Sequence, residues 1–294
     1  MKIAIYGSRH QSGYIGYIAD LVGELHKRGI EVVMAEKLFV HMAQNLPSAP
    51  EVDSVVGNSQ ISQYADLAFS IGGDGTFLRT AQWVAPYEIP VFGINTGHLG
   101  YLSDHRMARD FNWIDSLIAG DYSVEPRTML KVESPTLRSE NGFWPHALNE
   151  VAVLKKDTAS MIDIEAYVDG VFLANYRADG LIVATPTGST GYNLSVGGPI
   201  LQPTAPVNVI SPIAAHSLSM RPLVISNDAE VQLVTTSRAG SFRLSLDGRS
   251  LSLDEGERIV ISRSFVTTKI VIRPEHNFAD TLRQKLYWGV LNVK

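Results

Sequence analysis

The 294-residue sequence contains no cysteine. That removes disulfides, thiol nucleophiles, cysteine-ligated zinc and iron–sulfur clusters together. It is compatible with a reducing compartment, and a cytoplasmic location is the expectation. Long apolar runs are missing too. None approaches the ~18 residues of a membrane span, so no membrane partner is expected. The opening Met-Lys-Ile-Ala-Ile-Tyr-Gly is too short in apolar length for a signal peptide and reads as a first strand. An excess of positive charge is also lacking. The balance of 25 Lys+Arg against 30 Asp+Glu is −5, which argues against a nucleic-acid partner. Charged residues make up only 19% and hydrophobic ones 45%, a globular rather than a disordered composition.

Several familiar catalytic signatures are absent as well. No Gly-Lys pair occurs, so there is no P-loop, and no His-Glu pair occurs, so there is no zincin helix. The dinucleotide fingerprint would need glycine where Leu78 stands. Gly188-Ser189-Thr190-Gly191 fails the spacing of the hydrolase nucleophile elbow. No metal-ligating cluster within the protein is expected.

What is present divides by texture. Up to about residue 120, strands alternate with helices. Lys2–Tyr6, Glu31–Ala35, Asp66–Ile71 and Pro90–Ile94 read as strands. Ile15, Ile18, Leu21, Val22 and Leu25 recur at helical spacing, with Gly29 where a helix ends. Phe77–Ala85, stopped by Pro86, and Phe111–Ile118, ending at Gly120, read as further helices. Such alternation implies a parallel sheet with helical crossovers, a Rossmann-like α/β domain. After Tyr122 the pattern is mostly β. The expected strands are Met129–Glu133, His146–Lys155, Met161–Val168, Val171–Tyr176, Leu181–Ala184, Pro222–Ser226, Glu230–Thr235, Phe242–Leu246, Arg258–Ser262 and Thr268–Arg273. Asp169-Gly170 and Asp247-Gly248 are hairpin turns, so this half is expected to be β-sandwich-like. Phe278–Val290 is helical again. The expected domains are residues 1–121, 122–276, and a C-terminal helix at 277–294 that packs back on the first.

Three segments carry chemistry. The first is Gly72-Gly73-Asp74-Gly75-Thr76, at the end of an apolar strand and just before a helix. Its glycines allow a sharp turn and close approach of a ligand, and the helix start offers free N–H groups to phosphate. A carboxylate repels phosphate, so Asp74 needs its own explanation. It either caps the following helix, or accepts a proton from a hydroxyl, or meets a phosphate-bound metal. The second is Thr185-Pro186-Thr187-Gly188-Ser189-Thr190-Gly191-Tyr192, where four aliphatic hydroxyls and two glycines sit beside a tyrosine. It is either a simple polar turn or a donor-rich loop with a ring to offer a base. The third is Asn149-Glu150, a polar pair inside an apolar strand, where alternation puts one of the two on a buried face. A buried amide or carboxylate needs partners, which a ribose or base could supply.

Together these segments resemble the bacterial NAD kinase family, ATP-dependent kinases of the NAD 2′-hydroxyl. The likeness covers nearly the whole chain. It includes the Gly-Gly-Asp-Gly-Thr loop, Gly93-Ile94-Asn95-Thr96-Gly97-His98-Leu99-Gly100, Asn149-Glu150, Arg177-Ala178-Asp179-Gly180, Thr185–Tyr192 and Gly197-Gly198-Pro199-Ile200. The glycine loop alone is shared with phosphofructokinases and lipid kinases; the Asn-Glu pair and the Thr-Pro-Thr-Gly-Ser-Thr run are more specific. The resemblance implies NAD and ATP as substrates, with a divalent cation (Mg²⁺) accompanying ATP. It implies Asp74 as general base at the 2′-hydroxyl, with Gly72, Gly73, Gly75 and Arg79 along the phosphates. Asn149 and Glu150 would hold the adenosine half of NAD. Thr187, Thr190, Gly191, Tyr192, Asn193, Leu194 and Ser195 would line the adenine and ribose pocket. Arg177 and Asp179 would set dinucleotide recognition, and a homodimer or homotetramer is implied, with this segment reaching a neighbouring subunit. The family commonly has alanine where this chain has Gly191. Asp74 falls in the α/β half and Asn149, Asp179 and Tyr192 in the β half, so the cleft between the halves is the expected site.

Rival readings are weaker. A lipid kinase would need a membrane-binding basic helix, and a sugar kinase a basic cluster after the loop, whereas only Arg79 follows it. A non-catalytic NADP sensor would have no use for Asp74.

Overall fold

The structure is a computed structural model that describes residues 1–7, 12–57, 65–97, 100–103, 105–140, 142–157 and 160–289. The chain forms two compact units, Met1–Pro126 with Thr268–Lys294, and Arg127–Thr267.

In the first unit, β1 (Lys2–Gly7), β2 (Glu31–Ala35), β3 (Ser54–Val56), β4 (Leu67–Ile71) and β5 (Val91–Asn95) make a parallel sheet in the order β3-β2-β1-β4-β5. A short β6 (His105–Arg106) extends it beside β5. The crossovers carry α1 (Ile15–Lys27), α2 (Glu36–Asn45) and α3 (Asp74–Val84), with α4 (Trp113–Ile118) after β6. All five residues of β4 are buried, which is why this strand reads as a continuous apolar run. The α1 residues at helical spacing are all buried, and Gly29 past its end adopts φ +72°, a conformation that favours glycine.

Strand succession reverses at the β1–β4 pair: the chain moves outward to β2 and β3 on one side and to β5 on the other. In such sheets ligands bind at the carboxyl ends of the strands beside the reversal, and the Gly72 loop leaves β4 at that place. Among the elements not foreseen are α2, β3 and the two-residue β6 here, and the strands Val207–Ile213 and Arg249–Asp254 in the second unit. In α2 only Leu38 and Met42 are buried, and β3 is a three-residue edge strand. The helix expected at Phe77–Ala85 starts three residues earlier, at Asp74, and Pro86 falls within a 3₁₀ turn, Ala85–Tyr87.

The second unit contains β7 (Ser123–Glu133, from Arg127 onward), α5 (Pro135–Ser139), β8 (His146–Ala147), β9 (Glu150–Leu154), β10 (Ile162–Val168), β11 (Val171–Ala178) and β12 (Gly180–Ala184). It continues through α6 (Tyr192–Ser195), β13 (Val207–Ile213), β14 (Leu223–Ser226), β15 (Val231–Thr236), β16 (Ser241–Leu246), β17 (Arg249–Asp254) and most of β18 (Arg258–Ile272). One antiparallel sheet runs β11-β10-β15-β18, the other β14-β13-β12-β9-β16-β17. Ile162, Ile164 and Leu233 of the first share one core with Val151, Val153, Leu181, Leu244 and Leu246 of the second. The unit is therefore a β-sandwich. The other face of β9, β12 and β13 presents Ala152, Ile182, Ala184 and Val209, packed against Val196 and Leu201. In both Asp-Gly turns each residue has positive φ, 51° and 77° at Asp169-Gly170 and 48° and 80° at Asp247-Gly248, as primed hairpin turns require.

The strand expected over His146–Lys155 is broken into β8 and β9. The N–H groups of Leu148, Asn149 and Glu150 all turn to the Asp247 carboxylate instead of a neighbouring strand. Conversely, the two strands expected at Arg258–Ser262 and Thr268–Arg273 are one, β18, of 15 residues. Its last residues belong with the first unit, where Ile270 pairs in parallel with Val91, so residues 268–276 leave the β-rich domain in which they were expected. The C-terminal helix α7 (Phe278–Leu286) is shorter than expected and ends on Tyr287 at φ 53°; Val290 lies outside the described residues. Lys285 Nζ donates to the carbonyls of Tyr101 (3.1 Å) and Ser103 (3.3 Å), tying α7 into the first unit. Among the described residues no helix is long and apolar enough to cross a membrane.

The packing of β12 between β9 and β13 depends on Gly180. A Cβ there would lie 2.4 Å from the Val153 carbonyl oxygen. Gly180→Ala is expected to destabilise the β-rich unit by about 1–3 kcal/mol, read as a lower urea midpoint for its unfolding transition. An unchanged midpoint would mean the strands separate freely there.

Candidate active site

At the end of β4 the chain turns through Gly72, whose φ is +152° and where a Cβ would stand 2.4 Å from Thr76 Oγ1. Gly73 is the N-cap residue of α3, with no side-chain cap. Asp74 opens the helix but does not cap it. Its Oδ2 accepts the Tyr101 N–H at 2.7 Å and its Oδ1 accepts the Leu102 N–H at 2.9 Å. The carboxylate is thus aimed across the carboxyl ends of the strands, which removes the capping explanation. Gly100 makes room for it, since a Cβ there would lie 2.5 Å from Asp74 Oδ1. Gly75 and Arg79 are exposed on the first turns of α3. Of the Gly93–Gly100 run, His98 and Leu99 lie outside the described residues.

In the second unit the hydroxyl-rich run folds as a 3₁₀ turn, Thr187–Thr190, leading into α6. It lies hard against the start of β9. A Cβ on Gly188 would stand 2.0 Å from the Asn149 carbonyl oxygen, so only glycine permits the approach. Thr185 fastens the contact: its N–H donates to Asn149 O (2.9 Å) and its Oγ1 to Leu148 O (2.6 Å). Gly191 sits over the Asn149 and Glu150 side chains, with its absent Cβ 3.2 Å from Glu150 Oε2. The Tyr192 N–H donates to the Glu150 carboxyl, while its side chain is exposed. Asn149 Oδ1 and Glu150 Oε2 are both buried without a hydrogen-bond partner. The pair does not alternate between faces as a continuous strand would require. Asn149 precedes β9, and both side chains bring an open oxygen to the same turn.

Burial raises both nearby carboxyls. Glu150 is pushed up to about 8, by burial first and then by the negative charge of Asp247, with the Tyr192 N–H opposing. Asp247 is also raised by burial, but three backbone N–H groups and Arg249 oppose that. With its value near 8, Glu150 holds a proton at neutral pH and can donate as well as accept.

The other expected residues fall into two groups. Thr187, Thr190, Leu194 and Ser195 belong to the same turn and helix as Tyr192. Asn193 belongs there too, but its side chain is spent internally. Its Nδ2 donates to the carbonyls of Ser189 and Pro199, each at 3.1 Å, and its Oδ1 accepts from Ser211 Oγ at 2.6 Å. Arg177 and Asp179 are not brought to this turn. Asp179 lies beyond the far end of β12, about 17 Å along an extended chain from Ala184, the residue paired with Glu150. Its Oδ1 is ion-paired with Lys155 Nζ at 2.6 Å, and Arg177 is exposed. Sequence reasoning missed Asp247 and Arg249. An Asp-Gly turn accounts fully for the pattern at 247–248, so nothing local signalled that the carboxylate reaches back about a hundred residues.

Family models for the N-terminal and C-terminal domains of ATP-NAD kinases match residues 10–122 and 148–272. An NAD kinase of Porphyromonas gingivalis is 41% identical over 289 residues, 98% of each chain. One of Bacteroides fragilis is 40% identical over the same share. Two solved structures share the fold. One is a yeast NADH kinase complexed with NADH, with TM-score 0.87 and 24% identity, covering 100% of this chain and 89% of the other. The second is an NAD kinase from Archaeoglobus fulgidus in complex with ATP, with TM-score 0.72 and 27% identity, covering 96% of this chain and 99% of the other. The two halves thus form a nucleotide-cofactor kinase. The chain belongs to the NAD kinase family.

The raised Glu150 carboxyl has a measurable consequence. A folded-state value near 8, above the ordinary 4.5, contributes stability that is present below about 4.5 and lost as pH rises through about 8. Glu150→Gln is expected to flatten that loss, which for the wild type amounts to about 2–4 kcal/mol. Urea unfolding at both ends of the window checks it. Parallel pH profiles for the two proteins would show that Glu150 titrates normally.

Proposed function

We propose that the chain transfers the γ-phosphate of ATP to the 2′-hydroxyl of the adenosine ribose of NAD, giving NADP and ADP. The observation that carries this reading is the anchoring of Asp74 at the carboxyl end of β4, beside the N-terminus of α3. Family membership and relatives named NAD kinase support it. A location in the cytoplasm fits the absence of cysteine.

Phosphoryl transfer passes through a loose transition state, so catalysis is mainly positioning and charge stabilisation. Each Asp74 oxygen receives one backbone N–H, which leaves lone pairs for a substrate hydroxyl while fixing the carboxylate in place. Asp74 takes the 2′-hydroxyl proton as the new P–O bond forms. Gly72, Gly73 and Gly75 let the phosphates approach the α3 N-terminus, and the exposed Arg79 supplies a positive charge one turn further. Asn149 and Glu150 hold the adenosine half of NAD. Their two open oxygens, with Glu150 protonated, match hydroxyl and amino groups of a nucleoside. Thr187, Thr190, Gly191, Tyr192, Leu194 and Ser195 line the pocket beside them, and Asn193 builds its wall.

Among the described residues no group of three or more His, Asp or Glu is placed to hold a metal ion. A Mg²⁺ carried by the ATP phosphates would neutralise charge on the transferred group. Arg177 and Asp179 act in dinucleotide recognition across a homodimer or homotetramer contact. Their distance from the Glu150 turn within one chain supports a role toward a neighbour.

A coupled assay with NAD, ATP and Mg²⁺ that reads NADP tests the whole reading. Asp74→Asn is expected to lower kcat by about 10²–10⁴. A near wild-type rate would remove Asp74 as the base. NAD lacking the 2′-hydroxyl should bind but yield no phosphorylated product, and any phosphorylation of it would place transfer at another hydroxyl.

A further inference from the structure

Asp247 opens the turn between β16 and β17 at φ 48°, and its carboxylate points inward rather than to solvent. Oδ2 accepts the Leu148 N–H at 2.7 Å. Oδ1 accepts the N–H groups of Asn149 (2.8 Å) and Glu150 (3.1 Å). The Asp247 N–H donates back to Glu150 O at 3.2 Å. Two residues on, the Arg249 guanidinium donates to the carbonyls of Trp144 (2.7 Å) and His146 (2.6 Å) and lies over the rings of Phe143 and Trp144. One short turn therefore holds a single run of backbone by both kinds of polar group. The acid takes the amides of its end and the base takes the carbonyls of its beginning.

Turn geometry does not account for this. Asparagine or glycine satisfies a positive φ at that position as well as aspartate does. Burying a charge is costly unless it is hydrogen-bonded, and here the bonds go to the backbone that carries Asn149 and Glu150. With Thr185 on the opposite edge, every main-chain group of Leu148 and Asn149 is engaged. The buried side-chain oxygens Asn149 Oδ1 and Glu150 Oε2 are left open.

We propose that Asp247 is a positioning residue for NAD, whose carboxylate sets the backbone of Leu148–Glu150 so that the Asn149 and Glu150 side chains meet the adenosine. The proposal rests on the reading of those two residues as NAD-holding groups. Asp247 also acts by charge. It faces Glu150 from the hairpin turn, with the Tyr192 N–H facing Glu150 from α6. Arg249 faces Asp247, and His146 beyond it is neutral, pushed down to about 4 by burial, Lys131 and Arg249. Removing the Asp247 charge lets Glu150 ionise at lower pH.

The test is Asp247→Asn in the full chain, with steady-state kinetics in both substrates across neutral and mildly alkaline pH. The NAD KM is expected to rise about 10- to 100-fold, because an amide cannot accept all three N–H groups. The ATP KM should stay within about twofold. The alkaline limb of NAD binding expected from ionisation of Glu150 should move to lower pH. A purely structural role predicts both KM values rising together with the limb unmoved, and that result, or an unchanged NAD KM, overturns the proposal. If Asp247→Asn does not fold, Asp247→Glu keeps the charge but cannot centre its longer arm on three amides. It should raise the NAD KM and leave the limb in place, and an unchanged KM again overturns the proposal. A wild-type protein that makes no NADP would refute the proposed function on its own. Amide exchange at Leu148–Glu150 and calorimetric NAD binding would then still decide the role of Asp247.

Discussion

Two stretches of backbone in the β-rich unit touch more closely than side chains allow. The Thr187–Thr190 turn rests on Asn149 at a distance that leaves no space for a Cβ on Gly188. Gly198 repeats the constraint, since a Cβ there would stand 2.0 Å from Asn193 Oδ1. Asn193 in turn links Ser189, Pro199 and Ser211 by its side chain alone. The segment from Thr185 to Leu201 is thereby a hydrogen-bonded body seated on β9, β12 and β13, with Val196 and Leu201 as its apolar underside. Thr185, the next residue after the Ala184–Glu150 pair of β12 and β9, joins Leu148 and Asn149 to the same body.

Within that frame, buried polar groups fall into two classes. Thr185, Ser189 and Asn193 are satisfied by the protein itself. Asn149 and Glu150 keep an oxygen buried and unmatched. Such an atom costs about 1–3 kcal/mol, and native proteins tolerate few of them. Two at one turn, beside a glutamate raised by burial, are where on the proposed reading the adenosine would recover what folding leaves unsatisfied. The α/β unit works differently. Asp74 is matched to two amides and is only half-buried, at the carboxyl end of β4.

Much of this was legible in the residues. The parallel sheet follows from buried runs such as Leu67–Ile71, and α1 from its helical spacing. Both primed hairpins follow from Asp-Gly. The glycine loop, the Asn-Glu pair and the Thr-Pro-Thr-Gly-Ser-Thr run stood out in the sequence as glycine-rich or polar breaks beside apolar strands. What stayed hidden depends on contacts distant in sequence. No local pattern shows that Asp74 takes the amides of Tyr101 and Leu102 instead of capping α3. The division between β8 and β9 is set by Asp247, nearly a hundred residues downstream. Asn193 reads as a polar pocket residue, and only the close approach of Pro199 and Ser211 shows it turned inward. The unforeseen β3 is short and exposed, and α2 buries only two side chains, so neither has a strong periodic signal.

The course of β18 fixes an order of assembly. Its final residues add Ile270 beside Val91, and α7 then anchors Lys285 on Tyr101 and Ser103. The α/β unit is thus discontinuous, with residues 127–267 inserted into it. On a ribosome residues 1–126 emerge early but lack a strand and a helix until residues 268–286 are made. The inserted sandwich has all its own strands sooner. Domains fold as units during synthesis, so the β-rich insert completes first, and the unit bearing Asp74 closes only after residues 268–286 have emerged.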